Sequence, residues 1–282
     1  ATGRKVGVGA AERLVASSLE LGGKNPMVVC ADADLDAAVD GALRGCFSNA
    51  GQLCASFERL YVARAVYADF RDRFVAAVAA LELRPGLDWT GEVGTLTSAA
   101  QLDKVQAHVE DARAKGATVL VGGRHRPDLA PWSFEPTVLE GVSEDMECFR
   151  DETFGPVVSL YPFDTEEEAL ALANDSTYGL NAAVWSRDHA RARALASRIR
   201  CGTVNVNEAI AASFGSLSAP MGGMGQSGLG RRQGPEGLLR FTQVQAVATQ
   251  RGMGLGAPTG ASREKFAEVM TGALKVMRAL RL

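Results

Sequence analysis

Short unbroken apolar runs alternate along this chain with longer stretches in which apolar positions recur every three or four residues. Runs of the first kind read as buried strands, and stretches of the second kind as helices with one apolar face. Residues 25–30 (NPMVVC) are a short apolar run, and residues 32–47 follow with Leu35, Val39, Leu43 and Phe47 at helical spacing. The same alternation gives a strand at 59–64 and a helix at 66–81, then a helix at 98–117 and a strand at 118–123. Further strands are expected at 157–163, 181–186, 202–207 and 241–250. Thr165 with Glu168 three residues on predicts a capping box opening the helix between the first two of these. Alternating strands and helices are the signature of an α/β domain with a largely parallel sheet.

Two stretches break the alternation. Residues 213–237 are rich in glycine, serine and methionine, which predicts a loop passing close to something rather than one regular element. After a Gly/Pro linker at 251–260, a last helix is expected from about Ser262, with an apolar stripe of Phe266, Val269, Met270, Ala273, Leu274, Met277 and Leu280. That stripe is expected to pack on this protein or a sister subunit, with a membrane surface as the alternative.

The 282 residues can bury a sizeable core, as one large domain or two smaller ones. A net charge of −3 leaves no basic surplus to neutralise phosphates, so no nucleic-acid partner is expected. The one basic cluster, residues 186–200, alternates arginine with alanine and reads as a solvated helix face. With no apolar run of spanning length, no membrane partner is expected. Five cysteines without paired spacing suggest no disulfide framework and fit a reducing cytoplasm.

Four of those cysteines, Cys30, Cys46, Cys148 and Cys201, lie in or beside apolar runs and read as core residues. Cys54 instead sits in the polar turn NAGQLCAS, flanked by Asn49, Gly51 and Gln52. Backbone N–H groups and polar neighbours there can stabilise a thiolate, so Cys54 is either a nucleophile or a half-buried thiol without a role. Upstream, Glu20 lies between two leucines and just before Gly22 and Gly23. An apolar setting raises a carboxyl toward the range useful to a general base; a salt-bridged structural glutamate is the alternative. Residues at strand ends gather at one edge of an α/β sheet, which would bring the two together. The histidines at 108, 125 and 189 have no ligand spacing, so no metal site is expected. Their placement also counts against a cysteine–histidine hydrolase.

LELGGKNP (19–26), NAGQLC (49–54), DETFGPV (151–157) and SGLGR (227–231), in this order, resemble the aldehyde dehydrogenase superfamily from residue 1 to about 250. The resemblance implies that Cys54 attacks an aldehyde to give a thiohemiacetal, that hydride loss leaves a thioester, and that Glu20 activates the hydrolytic water. NAD or NADP would be the cofactor. Glu152 and Phe154 would meet its nicotinamide ribose and ring, with Gln101 as a further ribose contact and Gly3, Leu21 and Gly22 near its phosphate and nicotinamide sides. Phe214 and Met221 would line the aldehyde tunnel, and the intact enzyme would be a homodimer or homotetramer.

The resemblance also implies boundaries. Residues 1–20 would be the end of a dinucleotide-binding domain, 21–226 the catalytic domain, 227–250 a return segment with an oligomerisation strand, and 251–282 a linker and helical tail. Most of the cofactor domain would then precede residue 1, making the chain a fragment or the product of a truncated gene. ERLYV after the cysteine, residues 219–237 and the tail are most similar to bacterial NADP-linked succinate-semialdehyde dehydrogenases. Those enzymes place an arginine six positions before the cysteine, where this chain has Ser48; Arg59 is the candidate substitute, and without one a neutral aldehyde suits the pocket better. Two other readings stay open: a non-catalytic remnant that only oligomerises, and an acylating enzyme, against which a water-activating Glu20 argues.

Overall fold

The computed structural model describes residues 2–86, 91–251, 254 and 256–281. Two units are distinguished, Ala1–Thr242 and Gln243–Leu282. The first is built on strands β1 (Leu19–Glu20), β2 (Asn25–Val29), β3 (Phe57–Ala63), β4 (Thr118–Val121), β5 (Thr137–Glu140), β6 (Val157–Phe163), β7 (Asn181–Trp185), β8 (Thr203–Val206) and β9 (Gly228–Leu229). Seven of them form one sheet in the order β4-β5-β6-β3-β2-β7-β8. All neighbours are parallel except β4, which pairs antiparallel with β5 at one edge.

Strands β2, β3 and β7 are buried along their whole length, which explains their unbroken apolar runs. Helices pack on both faces of the sheet, as parallel crossovers require. Phe47 at the end of helix Leu35–Phe47 meets Phe74 of helix Arg64–Ala79 on one face, beneath Met27 and Leu60. The other face is covered by Leu170 of helix Glu166–Asn174 and Leu195 of helix His189–Ala196. Asp34 and Ser98 cap the helices they precede by accepting from Ala37 N and Gln101 N.

The Thr165 cap forms as expected, with Glu168 N donating to Oγ1 at 3.2 Å. The reciprocal arm differs by one residue: Glu168 Oε2 accepts from Asp164 N rather than from Thr165 N. The arginines of residues 186–200 are paired as well as solvated, Arg198 with Glu167 at 2.6 Å and Arg191 with Glu166. Residues 241–250, expected as a strand, have none among the described elements. A strand exists only where its N–H and C=O groups meet a partner ladder, and no described segment pairs with this one. In the second unit, helix Arg263–Ala279 begins where expected, capped by Ser262. Of the preceding 251–260 linker, residues 252, 253 and 255 lie outside the described residues.

Candidate active site

The segments that carry Glu20, Cys54 and Glu152 each lead into a strand of the large sheet. Glu20 to Gly23 leads into β2, Cys54 into β3 and Glu152 to Gly155 into β6, while Asn181 opens β7. Because these strands are parallel and in near register at their first residues, the four segments meet at the amino-terminal edge of the sheet. Open α/β sheets usually present their sites at the opposite, carboxyl edge. Strand ends do gather the site, but at the other edge.

Cys54 follows a tight turn in which Asn49, Ala50 and Gly51 all have positive φ, of 53°, 53° and 70°. Gly51 is dictated twice over: its φ suits glycine, and a β-carbon would lie 2.1 Å from the carbonyl oxygen of Gly155. The NAGQLC turn therefore rests directly on the FGP of the third motif. Gln52 braces it, donating to Asn49 O and Thr95 O at 3.1 Å and accepting from Thr97 N at 2.8 Å. On the other side Asn25 Nδ2 donates to the carbonyls of Cys54 and Ser56, both at 2.8 Å. Its Oδ1 accepts from Asn181 N, and Asn181 Nδ2 donates to Ala55 O. Asn205 Nδ2 donates in turn to Asn181 Oδ1, and its own Oδ1 accepts from Ser213 N. This buried asparagine relay across β2, β7 and β8 fixes the carbonyls of Cys54, Ala55 and Ser56.

Cys54 is half-buried, whereas the other four cysteines are buried. Burial pushes its thiol up from the ordinary value, and the carboxylates of Glu20 and Glu152 push the same way; the N–H groups of Cys54 and Ala55 oppose them. Those amides lie where an anion on or beside the sulfur would form. Burial, with nearby carboxylates adding to it at Cys30 and Cys148, pushes Cys30, Cys148 and Cys201 up to about 11, far from a reactive state.

Glu20 sits on the two-residue β1, which pairs antiparallel with β9 so that Glu20 faces Gly228. Leu21 N donates to Ser227 O at 2.9 Å, and the buried Ser227 hydroxyl accepts from Gly179 N at 3.0 Å. SGLGR is thus the segment against which Glu20 is laid, and the glycine-rich loop does pass close to something. Glu20 Oε1 is buried without a hydrogen-bond partner among the described residues. Arg232 Nε stands 3.9 Å from it. Burial raises the Glu20 carboxyl above its usual range, opposed by Arg232, Arg231 and Arg240. A raised, partnerless carboxylate suits proton abstraction from water.

The turn between Glu20 and β2 is where the motifs touch. A β-carbon on Gly22 would lie 2.1 Å from Glu152 Oε2, and one on Gly23 would lie 2.9 Å from Cys54 O. Glu152 Oε1 accepts from Gly23 N at 2.7 Å, and burial raises this carboxyl too. Beside it opens a cleft of about 700 Å³ lined by Gly3, Leu21, Gly22 and Glu152 among others. Four of the candidate cofactor residues therefore share one surface. Phe154 and Gln101 are not among its lining residues. Gln101 Nε2 donates to the carbonyls of Thr153 and Phe154 at 2.8 and 2.9 Å, and Phe154 holds a φ of 55°.

Sequence reasoning missed what anchors that loop. Glu58, 4% exposed, accepts from Thr153 N through both carboxylate oxygens and from Phe154 N, and pairs with the equally buried Lys24. Thr153 Oγ1 meets Nδ1 of the buried His108 at 3.1 Å. Lys24 and Asn25 stand inside the GGKNP motif, but nothing in a single sequence says that a lysine beside a strand faces inward. Arg59 is corrected by the structure. At 3% exposed, it donates to the carbonyls of Lys24, Leu172 and Ala173 and to the Tyr61 hydroxyl, finishing helix Glu166–Asn174. Its donors are consumed, so it cannot replace a substrate clamp.

Phe214 lies on the short helix Ala211–Gly215 and is 48% exposed. Met221 is buried and lines a hollow of about 410 Å³ with Val204, Val206 and Ser213, whose lining does not include Phe214. Among the described residues no three His, Cys, Asp or Glu side chains converge as a metal-binding group.

A model of the aldehyde dehydrogenase family matches residues 1–247. A protein of Mycolicibacterium smegmatis, described as a putative NADP(+) succinate-semialdehyde dehydrogenase, is 49% identical over 280 residues, covering 99% of this chain and 54% of the relative. A Mycobacterium tuberculosis (strain H37Rv) protein of like description is 52% identical over 260 residues, 92% of this chain and 50% of the relative. The chain thus spans about half the length of these curated relatives. Among solved structures, the NAD+ complex of an aldehyde dehydrogenase from Bacillus cereus superposes with a TM-score of 0.83 at 36% identity, over 87% of this chain and 49% of that one.

Proposed function

We propose, from the premise that the chain belongs to the aldehyde dehydrogenase family, that the intact protein oxidises an aldehyde to a carboxylic acid with NAD or NADP. The observation that carries this reading is the Gly22–Gly23 turn, against which the Cys54 carbonyl and the Glu152 carboxylate both press, two residues after Glu20. The cleft beside it fits a nicotinamide ribose: Gly3 and Gly22 let Leu21 and Glu152 pack closely into its wall, and Glu152 offers a carboxylate to hydroxyl groups. When bound, the cofactor supplies the hydride acceptor.

The chain's own residues supply the rest. Cys54 adds through sulfur, as the thiolate left when its proton passes to solvent, to the aldehyde carbon. The resulting oxyanion is met by the N–H groups of Cys54 and Ala55. After loss of hydride the acyl group remains as a thioester on Cys54. Glu20, ionised, takes a proton from water as the water's oxygen attacks the acyl carbon and the thiolate leaves. Gln101 and Glu58 hold the Thr153–Phe154 backbone in place for this site.

The descriptions of the relatives support NADP as cofactor and succinate semialdehyde as substrate. A second reading, a neutral aldehyde, is favoured by Ser48 together with the full engagement of Arg59. We place the enzyme in the cytoplasm as a homodimer or homotetramer, on family grounds. The test is to quench the intact enzyme during turnover and map acylated peptides by mass spectrometry. A thioester on Cys54 is expected; acylation at another cysteine overturns the assignment. Comparing kcat/KM for succinate semialdehyde and butanal separates the substrates, a tenfold preference either way deciding between them.

A further inference from the structure

We propose that the tail helix Arg263–Ala279 is a membrane-surface anchor that lies on anionic lipid. None of its described residues is buried. Val269, Leu274, Val276, Met277 and Leu280 are between 47% and 64% exposed, although each is a large apolar side chain. At 3.6 residues per turn they fall with Phe266, Met270 and Ala273 on one arc of about 160°. So wide an apolar face needs a partner.

The charges say which partner. On the same wheel Lys265 borders one edge of the apolar arc and Arg278 lies beyond the other, with Arg263, in the first turn, inside the arc between Met270 and Leu274. Glu264 and Glu268 stand with Lys275 at the centre of the polar face, pointing away from the apolar side. Two copies of this helix packed face to face would have cations but no carboxylates beside their seams, without the opposite-sign pairing that sets helix partners. A bilayer surface fits the pattern: apolar side chains enter the acyl boundary, the flanking cations extend their stems along it to anionic headgroups, and the carboxylates stay in water. Residues 263–281 carry five cations against two carboxylates. No helix among the described residues is long and apolar enough to cross a membrane, so this one lies on the surface. The proposal takes up the alternative that the sequence left for this stripe, a membrane surface, and not a spanning segment.

Vesicle co-sedimentation of the purified chain tests it, with vesicles of phosphatidylcholine alone or mixed with phosphatidylglycerol. Each net positive charge held at an anionic surface multiplies partitioning about fivefold. The surplus of cations therefore predicts tighter binding to the mixed vesicles by on the order of a hundredfold, weakening as salt is added. Val269→Glu with Leu274→Glu should abolish binding. Lys265→Glu with Arg278→Glu keeps the apolar arc and should remove the preference for phosphatidylglycerol. Absence of binding to the mixed vesicles overturns the proposal, as does binding unchanged in both variants. A dimer by light scattering that Leu274→Glu dissociates, without vesicle binding, assigns the face to a second copy instead.

Discussion

Around Cys54 the backbone is tied from three sides, by Asn25, Gln52 and Asn181, whereas Glu20 rides on a two-residue strand with one carboxylate oxygen unpartnered. The side of the proposed nucleophile is held by a chain of buried amides, that of the proposed base by arginines at salt-bridge distance or beyond. On the proposed mechanism the difference follows from what each group does. Attack on a carbonyl carbon tolerates little misplacement, so the cysteine turn is fixed before substrate arrives. A base must be ionisable and able to reach water, and full hydrogen bonding would lower the Glu20 carboxyl out of its useful range.

The largest effect should come from removing the fixed side's reacting atom. Cys54→Ala in the intact enzyme is expected to lower aldehyde oxidation on the order of 10⁴-fold or more with cofactor affinity kept, read as cofactor reduction and calorimetric titration. Glu20→Gln should slow turnover by about 10²–10⁴-fold while a burst of reduced cofactor survives, because the thioester forms and only its hydrolysis is impaired. Loss of the burst would move Glu20 ahead of hydride transfer, onto the cysteine.

Between these two sides stands the buried Lys24–Glu58 pair. Glu58→Ala strands a buried lysine and two backbone N–H groups, and should destabilise the fold by roughly 3–5 kcal/mol in urea titrations. Asn181→Ala breaks one link of the relay and should cost about 1–3 kcal/mol, with a fall in kcat larger than any change in KM for cofactor. If Asn181→Ala left kcat intact, the rigid side would be structural only.

The smallest expected effect concerns Arg232. Deacylation needs ionised Glu20, so its rate falls as pH drops through the Glu20 pKa. Burial raises that pKa and Arg232 opposes the rise, so Arg232→Gln should shift the acid limb of deacylation to higher pH. A limb that stays in place would mean that Arg232 and Glu20 part in the working enzyme.

Much of this was legible in the residues alone. Helix and strand positions follow from apolar spacing because burial on a two-sided parallel sheet demands unbroken apolar runs, as in β2 and β7. Cys54 stood apart from four core cysteines by its polar turn, and Glu20 by its apolar one, since local composition sets much of a group's solvation. What the tertiary structure alone decided is where side chains far apart in sequence meet. Arg59, a plausible clamp by charge, turned inward to finish a helix, while Glu58 beside it became the anchor of a loop about 95 residues away. Alternate residues of a strand face opposite sides, but which side holds a helix end and which a loop depends on crossovers that no local pattern encodes. The edge of the sheet that carries the site was settled the same way, by the direction in which parallel strands bring their first residues together.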